Sequence, residues 1–347
     1  MSKKFKFDVV IGNPPYQEEV KDTSDRPIYH LFMDEAFKIA ERVSFITPAR
    51  FLFNAGKTPK TWNKKMLEDE HFKVVYYEQD ATRVFANNLF EGGVAITYRD
   101  ANVDFGAIGQ YTAYPELNSI LHKVTSQKEL SIDTIIYLQN KFVLEELYNI
   151  YPEYRSVIGS GGKEKRLTTS IFGALSDVFL EEKGSESDLS ILGLLDSKRV
   201  CLFIPRQFIE PTVNLDKYKI LVPKSNGASG TLGDEPARII STPELGEPGK
   251  GFTQSFISIG AFDTLAEAEA AFKYVKSKFA RVMLGVLKVT QHNPSKTWKY
   301  VPLQDFTSVS DIDWTRSIPE IDQQLYQKYG LDETEIEFIE SHVKEMG

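Results

Sequence analysis

The sequence predicts an α/β fold in its first half, followed by a mixed α+β second part. Short apolar runs alternate with helical patterns up to about residue 150, and the sequence beyond that point is loop-rich with short strands. At 347 residues the chain also exceeds a typical domain of roughly 100 to 200 residues. Strands that alternate with helices favour a mainly parallel sheet with helical cover, so we expect such a sheet first and a second domain after it.

Four strands and two helices account for the first half. The strands are predicted at residues 7–11, 43–48, 72–78 and 92–99, and the helices at 28–42 and 58–70. The first apolar run stops at a polar residue and two prolines, which is typical of a strand buried on both faces. Residues 130–150 have the pattern of one long amphipathic helix. The glycine-containing, basic sequence after it predicts a domain boundary near residue 150.

Charge is distributed unevenly along the chain. The net charge is -8, and the segment 305–347 alone holds 11 acidic and 3 basic residues, which leaves 38 of each in the other 304 residues. Asp332 is placed to cap a helix in this acidic segment. We therefore divide the chain into a first domain at 1–150, a second at 151–304 and an acidic helical tail at 305–347.

One window of the second half is basic and free of acids. Between Ala270 and Gln304 there is no Asp or Glu, and the basic residues are Lys273, Lys276, Lys278, Arg281, Lys288, Lys296 and Lys299. Such a window predicts a surface that faces phosphate groups. The alternative is an ordinary solvated helix face with a lysine every third or fourth residue.

Membrane, disulfide and metal classes are disfavoured by the sequence. No apolar run approaches the roughly 20 residues of a membrane-spanning helix, and no signal-peptide core follows the basic start. The single Cys201 has no Cys or His neighbour at zinc-ligand spacing. We therefore expect a cytoplasmic protein without a metal site.

The stretch Asn13-Pro14-Pro15-Tyr16 follows the first predicted strand. Open α/β sheets place their ligand crevices at the carboxyl ends of strands. Two prolines fix the backbone and remove its donors, so the Asn13 side chain and the Pro14 carbonyl present two acceptors beside the Tyr16 ring. Two acceptors and a ring suit a planar base that carries an exocyclic amino group. The alternative is a strand that simply ends in a proline turn.

The segment "FDVVIGNPPY" resembles the catalytic motif of amino methyltransferases, most of all the N6-adenine DNA methyltransferases of type II restriction-modification systems. "VSFITPARFL" and "FKVVYYEQDATRVFANNLFEGGVAITY" resemble the segments that follow in that family. The resemblance implies a partial Rossmann-like methyltransferase sheet, with the later strands only, followed by a mixed α+β target-recognition domain. It also implies S-adenosylmethionine as cofactor, double-stranded DNA as partner, and an adenine flipped out of the duplex at a cost of a few kcal/mol.

The resemblance assigns roles to four residues. Asn13 and Pro14 become the acceptors for the amino group, and Tyr16 and Phe85 form an aromatic pair around the base. Pro15 joins these candidates because two prolines in succession make a stiff corner. Phe90 is a rival for Phe85, because both flank the same loop. Either phenylalanine could equally belong to the core, where most phenylalanines lie.

The window from Gly251 to Phe306 resembles the end of a target-recognition domain in the same family, though less sharply. The candidate DNA contacts in it are Lys273, Lys276, Arg281, Lys288, Gln291, His292, Asn293, Lys296, Trp298 and Lys299. A polar turn before Pro294 is the alternative for His292 and Asn293.

The family's cofactor site lies on three strands that precede the catalytic strand, and we find no such motif in this sequence. We expect a shortened gene, one half of a split enzyme, or a subunit that recognises DNA without methylating it. A strand without its predecessors leaves an apolar edge, so we also expect a second copy or another chain to complete the sheet. Protein-glutamine methyltransferases share the Asn-Pro-Pro-Tyr motif, but some 200 further residues favour a large substrate read by its own domain.

Overall fold

The computed structural model describes residues 5–18, 26–85, 92–158, 164–225, 230–233, 235–288 and 290–346. The chain divides into two compact units, Met1–Asn118 and Ser119–Gly347, which we call unit 1 and unit 2. In the part of the chain that the structure describes, no helix is long and apolar enough to cross a membrane.

Unit 1 contains one four-stranded sheet and two helices that pack on it. Its elements are β1 (Phe7–Gly12), β2 (Gln17–Glu18), β3 (Arg26–Pro27), α1 (Tyr29–Ile39), β4 (Ala40–Pro48), α2 (Lys60–Leu67), β5 (Phe72–Glu78) and β6 (Val94–Asp100), with short 3-10 helices at Arg50–Phe53 and Ala81–Arg83. The four strands and two helices predicted from the sequence are confirmed, apart from their ends.

The strand order of this sheet is β1-β4-β6-β5. β1 and β4 are parallel, in a register that pairs Phe7 with Ala40 and Gly12 with Phe45, and α1 makes the crossover between them. β6 runs antiparallel to both β4 and β5. The expectation of a mainly parallel sheet is therefore wrong, because no crossover helix lies in the described part of the β5–β6 connection. Since β1, β4 and β5 point the same way, their carboxyl ends meet at one edge of the sheet.

The core of unit 1 lies on one face of this sheet. Aromatic and aliphatic side chains of the helices, such as Met33, Phe51 and Trp62, pack there against Val43 and Phe72 of the strands. Phe51 and Trp62 meet edge to face, with ring centroids 5.2 Å apart. This packing fixes the position of the loops at the carboxyl edge.

β1 is an edge strand, and its apolar residues are not buried. Phe7 is 46 % exposed, Val9 51 % and Ile11 75 %. The expectation of a strand buried on both faces is wrong for the described chain, because the face that carries Phe7, Val9 and Ile11 is left largely exposed, whereas Val10 on the other face packs against the core. Within the described sheet, β1 therefore leaves one edge without a neighbouring strand, with apolar side chains exposed beside it.

Unit 2 is a mixed α+β body with two further sheets. Its elements, beginning with the helix that crosses the division, are α3 (Pro115–Ser126), β7 (Ile136–Tyr137), α4 (Leu144–Ile150), α5 (Tyr154–Val157), α6 (Ile171–Ala174), β8 (Leu189–Leu195), β9 (Lys198–Ile204), β10 (Tyr218–Pro223), β11 (Glu244–Gly246), β12 (Lys250–Phe252), β13 (Phe256–Phe262), α7 (Leu265–Lys276), α8 (Lys278–Gly285), α9 (Ile318–Lys328) and α10 (Glu333–His342). The strand orders are β11-β10-β13-β7 and β12-β8-β9.

The division between the units lies before the boundary that the sequence predicts near residue 150. Residues 130–150 are not one helix but a 3-10 turn at Ile132–Ile135, strand β7 and helix α4. The prediction failed because β7 pairs with β13 of unit 2, through Ile136 and Ile259, and this pairing overrides the helical spacing.

The acidic segment 305–347 is helical, as predicted, but it is part of unit 2 and not a separate tail. Asp332 accepts hydrogen bonds from the N–H groups of Thr334 and Glu335 and so caps α10, which confirms that assignment. Glu335 pairs with Lys123 at 2.6 Å. Ion pairs of this kind neutralise part of the negative charge of the segment with lysines from other parts of unit 2.

Candidate active site and nucleic-acid surface

The Asn13-Pro14-Pro15-Tyr16 loop leaves β1 at the carboxyl edge of the unit 1 sheet. Asn13 and Pro15 are exposed, Pro14 is buried and Tyr16 is half-buried. A proline buried directly after the strand anchors the corner, because its ring fixes φ and it has no N–H that would need a partner. The corner therefore holds Asn13 on the surface, at the edge where open sheets bind ligands.

Tyr16 is held by its backbone and by its ring. Its carbonyl accepts a hydrogen bond from the N–H of Ile28 at 3.0 Å, and the short ladder between β2 and β3 follows directly. The ring packs against the core of unit 1. Burial raises the pKa of the Tyr16 phenol from 10.0 to about 12, so the group is neutral near pH 7.

Phe85 comes from the loop after β5 and lies against Tyr16. Its N–H donates to the carbonyl of Ala81 at 2.9 Å, which closes the turn after the 3-10 helix Ala81–Arg83. The ring centroids of Tyr16 and Phe85 are 6.4 Å apart and their planes meet at 71°. A planar base can therefore stack face-on against one ring and meet the edge of the other, but cannot lie parallel to both. Phe90, the rival, lies outside the described residues.

Sequence reasoning missed Arg50, which follows β4 at the same edge. The residue is exposed, and Gly56 lies against it with φ of +81°, where a Cβ would come within 3.2 Å of the arginine Cβ. The positive charge of Arg50 acts on the phenol of Tyr29, next to Ile28, although burial dominates and raises the Tyr29 pKa. The sequence indicates a basic segment here, since residues 49–67 hold five basic and no acidic residues.

Five of the ten candidate DNA contacts are buried within unit 2. These are Lys276, Arg281, Lys288, Asn293 and Trp298, of which Arg281, Asn293 and Trp298 are fully buried. Because a buried side chain cannot reach phosphate, these five are corrected to structural residues. Charge spacing alone could not separate them from surface residues.

Two of the three buried cations among these candidates bind main-chain carbonyls, whereas the ammonium of Lys276 lies 4.9 Å from the centroid of the Phe272 ring. The Arg281 guanidinium donates to the carbonyls of Lys276 and Ser277 in the last turn of α7 and to those of Arg238 and Lys344. Lys288 donates to the carbonyls of Gly230 and Thr290. Burial lowers the pKa of Lys288 to about 8. Helix ends leave carbonyls without partners, and a buried cation satisfies them.

The remaining five candidates differ in what they contact. Lys273 donates to the carbonyls of Trp314, Thr315 and Arg316, so its charge is used within the unit. The exposed candidates are Gln291, His292, Lys296 and Lys299. The ammonium of Lys299 lies 5.3 Å from the centroid of the Tyr300 ring. The basic window is thus partly core and partly surface, and four of its residues remain available to DNA.

Comparisons with known proteins give one family match over the first part of the chain and two similar solved structures. Residues 1–85 match the family described as Eco57I restriction-modification methylase. Among solved structures, the chain is similar to the type IIG restriction endonuclease BpuSI, at 11 % identity and a TM-score of 0.31, with 90 % of this chain and 48 % of that chain covered. It is also similar to the type IIL restriction-modification enzyme MmeI in complex with DNA, at 10 % identity and a TM-score of 0.33, with 96 % and 56 % covered. A comparison with curated proteins finds no match.

The chain spans about half the length of these two solved structures. The family match ends at Phe85, the last residue of the described range 26–85. It therefore covers both the proline corner and the aromatic pair.

Proposed function

We propose that the chain carries the target-base site of a DNA adenine-N6 methyltransferase of a restriction-modification system, together with DNA-binding surface in unit 2. The observation that carries the proposal is the meeting of Tyr16 and Phe85 beside Asn13, from loops that follow different strands. The match of residues 1–85 to a restriction-modification methylase family supports it independently. Acting on DNA, the protein would work in the cytoplasm.

Asn13 and Pro14 bind the amino group in this proposal. The Asn13 side-chain oxygen and the Pro14 carbonyl each accept one N–H of the adenine amine, which leaves the nitrogen lone pair directed outward. An adenine inside a duplex must first be flipped out, at a cost of a few kcal/mol. Stacking on an aromatic face contributes roughly 1 to 3 kcal/mol per base. With the rings at 71°, one ring supplies that face and the other closes the site from the side.

S-adenosylmethionine supplies an electrophilic methyl group when it is bound. A cofactor of this size needs a glycine-rich turn after a strand and an acidic residue to hold its ribose. Within the described ranges the only strand neighbour of β1 is β4, and the residues there do not form such a turn. The proposal therefore assigns the cofactor to no residue of this chain.

A second copy or another chain completes the sheet at β1. The exposed backbone edge can accept a further strand, and the exposed side chains of Phe7, Val9 and Ile11 lie along it. Strand addition of this kind joins main-chain hydrogen bonds to burial of alternate apolar side chains. The cofactor residues would come from that partner.

Methyl transfer to genomic DNA tests the proposal. The purified chain, alone or with the product of the DNA directly upstream of its gene, is incubated with tritiated S-adenosylmethionine and unmethylated genomic DNA, and N6-methyladenine is mapped by sequencing. We expect Asn13→Ala to lower transfer at least about 100-fold, since an acceptor for the reacting group is lost. Asn102→Ala is the matched control, because Asn102 is exposed at the opposite edge of the same sheet.

The aromatic pair has its own control. Phe85→Ala should weaken binding of a duplex with a mismatched target adenine by about 5- to 150-fold, the equivalent of one lost stacking contact. Phe105→Ala removes the edge-to-face partner of Tyr98 at the opposite edge of the sheet. This control variant should leave duplex binding unchanged. Undiminished transfer by Asn13→Ala would contradict the catalytic assignment. Salt-dependent duplex binding without transfer in any preparation would leave a DNA-recognition subunit as the function.

A further inference from the structure

Four segments of unit 2 meet around Lys224, which follows β10. The Lys224 N–H donates to the carbonyl of Ser255 at 2.9 Å, and its carbonyl accepts from Asn293 at 2.7 Å. The next residue forms an antiparallel bridge with His292. Gln254 donates to the carbonyl of Leu167 at 2.8 Å, which brings in the segment that contains Arg166. Main-chain bonds thus fix the relative positions of residues that are far apart in sequence.

Three basic residues, Lys141, Arg166 and Lys224, lie on the segments that meet around Lys224. Lys141 and Arg166 form an antiparallel bridge and are both exposed. Residues directly opposite in such a pair project their side chains to the same face, about 4.5 to 5.5 Å apart at Cβ. Arg166 is close enough to Lys224 to lower its pKa, in addition to the larger effect of burial. Like charges held together repel one another, and an anion between them relieves the repulsion.

Polar groups continue the same surface. The hydroxyl of Ser255 donates to that of Thr169 at 3.1 Å. Gln291 and His292 are exposed next to the bridge with Ser225. Hydroxyl and amide side chains, together with cations, are the groups that proteins commonly place on phosphate and sugar oxygens.

A polar cleft elsewhere in unit 2 differs in its charge. It has a volume of about 630 Å³, and its lining includes Arg206, Asp216 and Lys250. Arg206 binds Asp216 through two hydrogen bonds of 2.9 and 2.6 Å, and Lys250 binds Glu244 at 2.6 Å. These pairs neutralise Arg206 and Lys250. The lining also contains Lys183, but Glu186, Asp188 and Glu247 line the same cleft, so cations are not in excess there. The surface around Lys224 carries the stronger argument for an anion.

We propose that Lys141, Arg166 and Lys224 form a phosphate-binding track on unit 2 that holds the backbone of duplex DNA, with Gln291 and His292 at its border. This inference rests on the proposed function, because it names a surface of unit 2 that would bind the DNA substrate. Two of the four exposed candidates from the basic window, Gln291 and His292, lie at the border of the proposed track.

Salt dependence of DNA binding tests the track without knowledge of the recognition sequence, because the phosphate contribution is independent of sequence. Affinity of the full chain for a labelled random duplex is measured by fluorescence anisotropy at several salt concentrations. We expect Arg166→Gln and Lys224→Gln each to reduce the slope of log affinity against log salt by about 0.9, and the double variant by about twice that. Circular dichroism and thermal unfolding establish that each variant is folded.

Lys217→Gln is the matched control, since it removes the same charge from an exposed lysine of unit 2 that is paired with Asp263. A slope that is unchanged in both track variants overturns the inference, as does an equal loss in the control. Failure of the proposed function looks different: the wild-type chain then binds no duplex, or transfers methyl groups undiminished after Asn13→Ala. Loss of slope in the track variants alone supports the track.

Discussion

Asp322 makes the stability of unit 2 depend on pH in a direction opposite to that of most carboxylates. The side chain is 2 % exposed and accepts hydrogen bonds from the N–H groups of Lys278 and Phe279, at 3.0 and 2.9 Å, in the first turn of α8. Burial raises the pKa of Asp322 to about 6 from an ordinary value of 3.8, and it outweighs the two N–H donors and the charge of Arg281. The folded unit therefore favours the protonated acid.

The sign and size follow from linkage. A carboxyl group whose pKa is raised on folding contributes its full stability below the unfolded pKa, and that stability is lost as the pH rises through the folded value. A shift of about two units at about 1.4 kcal/mol each corresponds to a total loss of about 3 kcal/mol, of which about 2.5 kcal/mol falls between pH 4 and pH 7.5 because pH 4 already lies above the unfolded pKa. Asp322→Asn has nearly the shape of the protonated acid and cannot ionise. The difference in unfolding free energy between wild type and variant should therefore fall by about 2.5 kcal/mol over this range.

Urea unfolding measures this difference. Trp298 and Trp314 belong to unit 2 and report its unfolding through fluorescence. Subtracting the variant's free energy at each pH removes the contributions of all other titrating groups. A difference that stays constant from pH 4 to pH 7.5 would refute the reasoning. A difference that grows with pH would mean that the helix N–H groups and Arg281 dominate, and that the Asp322 pKa is depressed.

Two further predictions concern residues whose burial differs from what the sequence predicted. Trp298→Ala should lower the unfolding free energy of unit 2 by about 3 kcal/mol or more, because removal of a fully buried aromatic side chain leaves a cavity. Lys299→Ala, at the exposed neighbouring residue, should change it by no more than about 0.5 kcal/mol, and urea unfolding at one pH compares the two variants. Ile11→Lys on β1 should change the unfolding free energy by no more than about 0.5 kcal/mol, because the side chain is 75 % exposed. The same variant should shift the protein towards monomer at micromolar concentration, as measured by sedimentation velocity. A wild type that is already monomeric would contradict this prediction.

The sequence predicted the elements of unit 1 because local signals agreed there. Apolar runs with polar stops gave the strands, and the two prolines marked the corner at Asn13. The aromatic pair required the family resemblance, since nothing in local spacing relates Phe85 to Tyr16. The structure brings both rings together through the common direction of β1 and β5, which is a property of sheet topology.

Unit 2 could not be predicted as well, because its elements are decided by distant partners. Helical spacing over residues 130–150 gave way to pairing between β7 and β13. The spacing of lysines in α7 and α8 likewise could not show which cations meet carbonyls. Arg281 satisfies carbonyls from α7 and from two segments more than forty residues away in sequence. A charge run in a sequence therefore predicts solvent or phosphate only after the main-chain acceptors nearby have been counted.

The proposed base site lies at the end of the edge strand β1, so the proposal links methyl transfer to association. A strand that pairs with β1 in parallel ends beside Asn13, so the partner that covers Val9 and Ile11 also lines one side of the site. Association and methyl transfer should then respond together when the edge is changed, and separately when the corner is changed. Ile11→Lys would weaken both, whereas Asn13→Ala would abolish transfer and leave association intact. Transfer that persists in a strictly monomeric Ile11→Lys variant would separate the two and place the cofactor independently of β1.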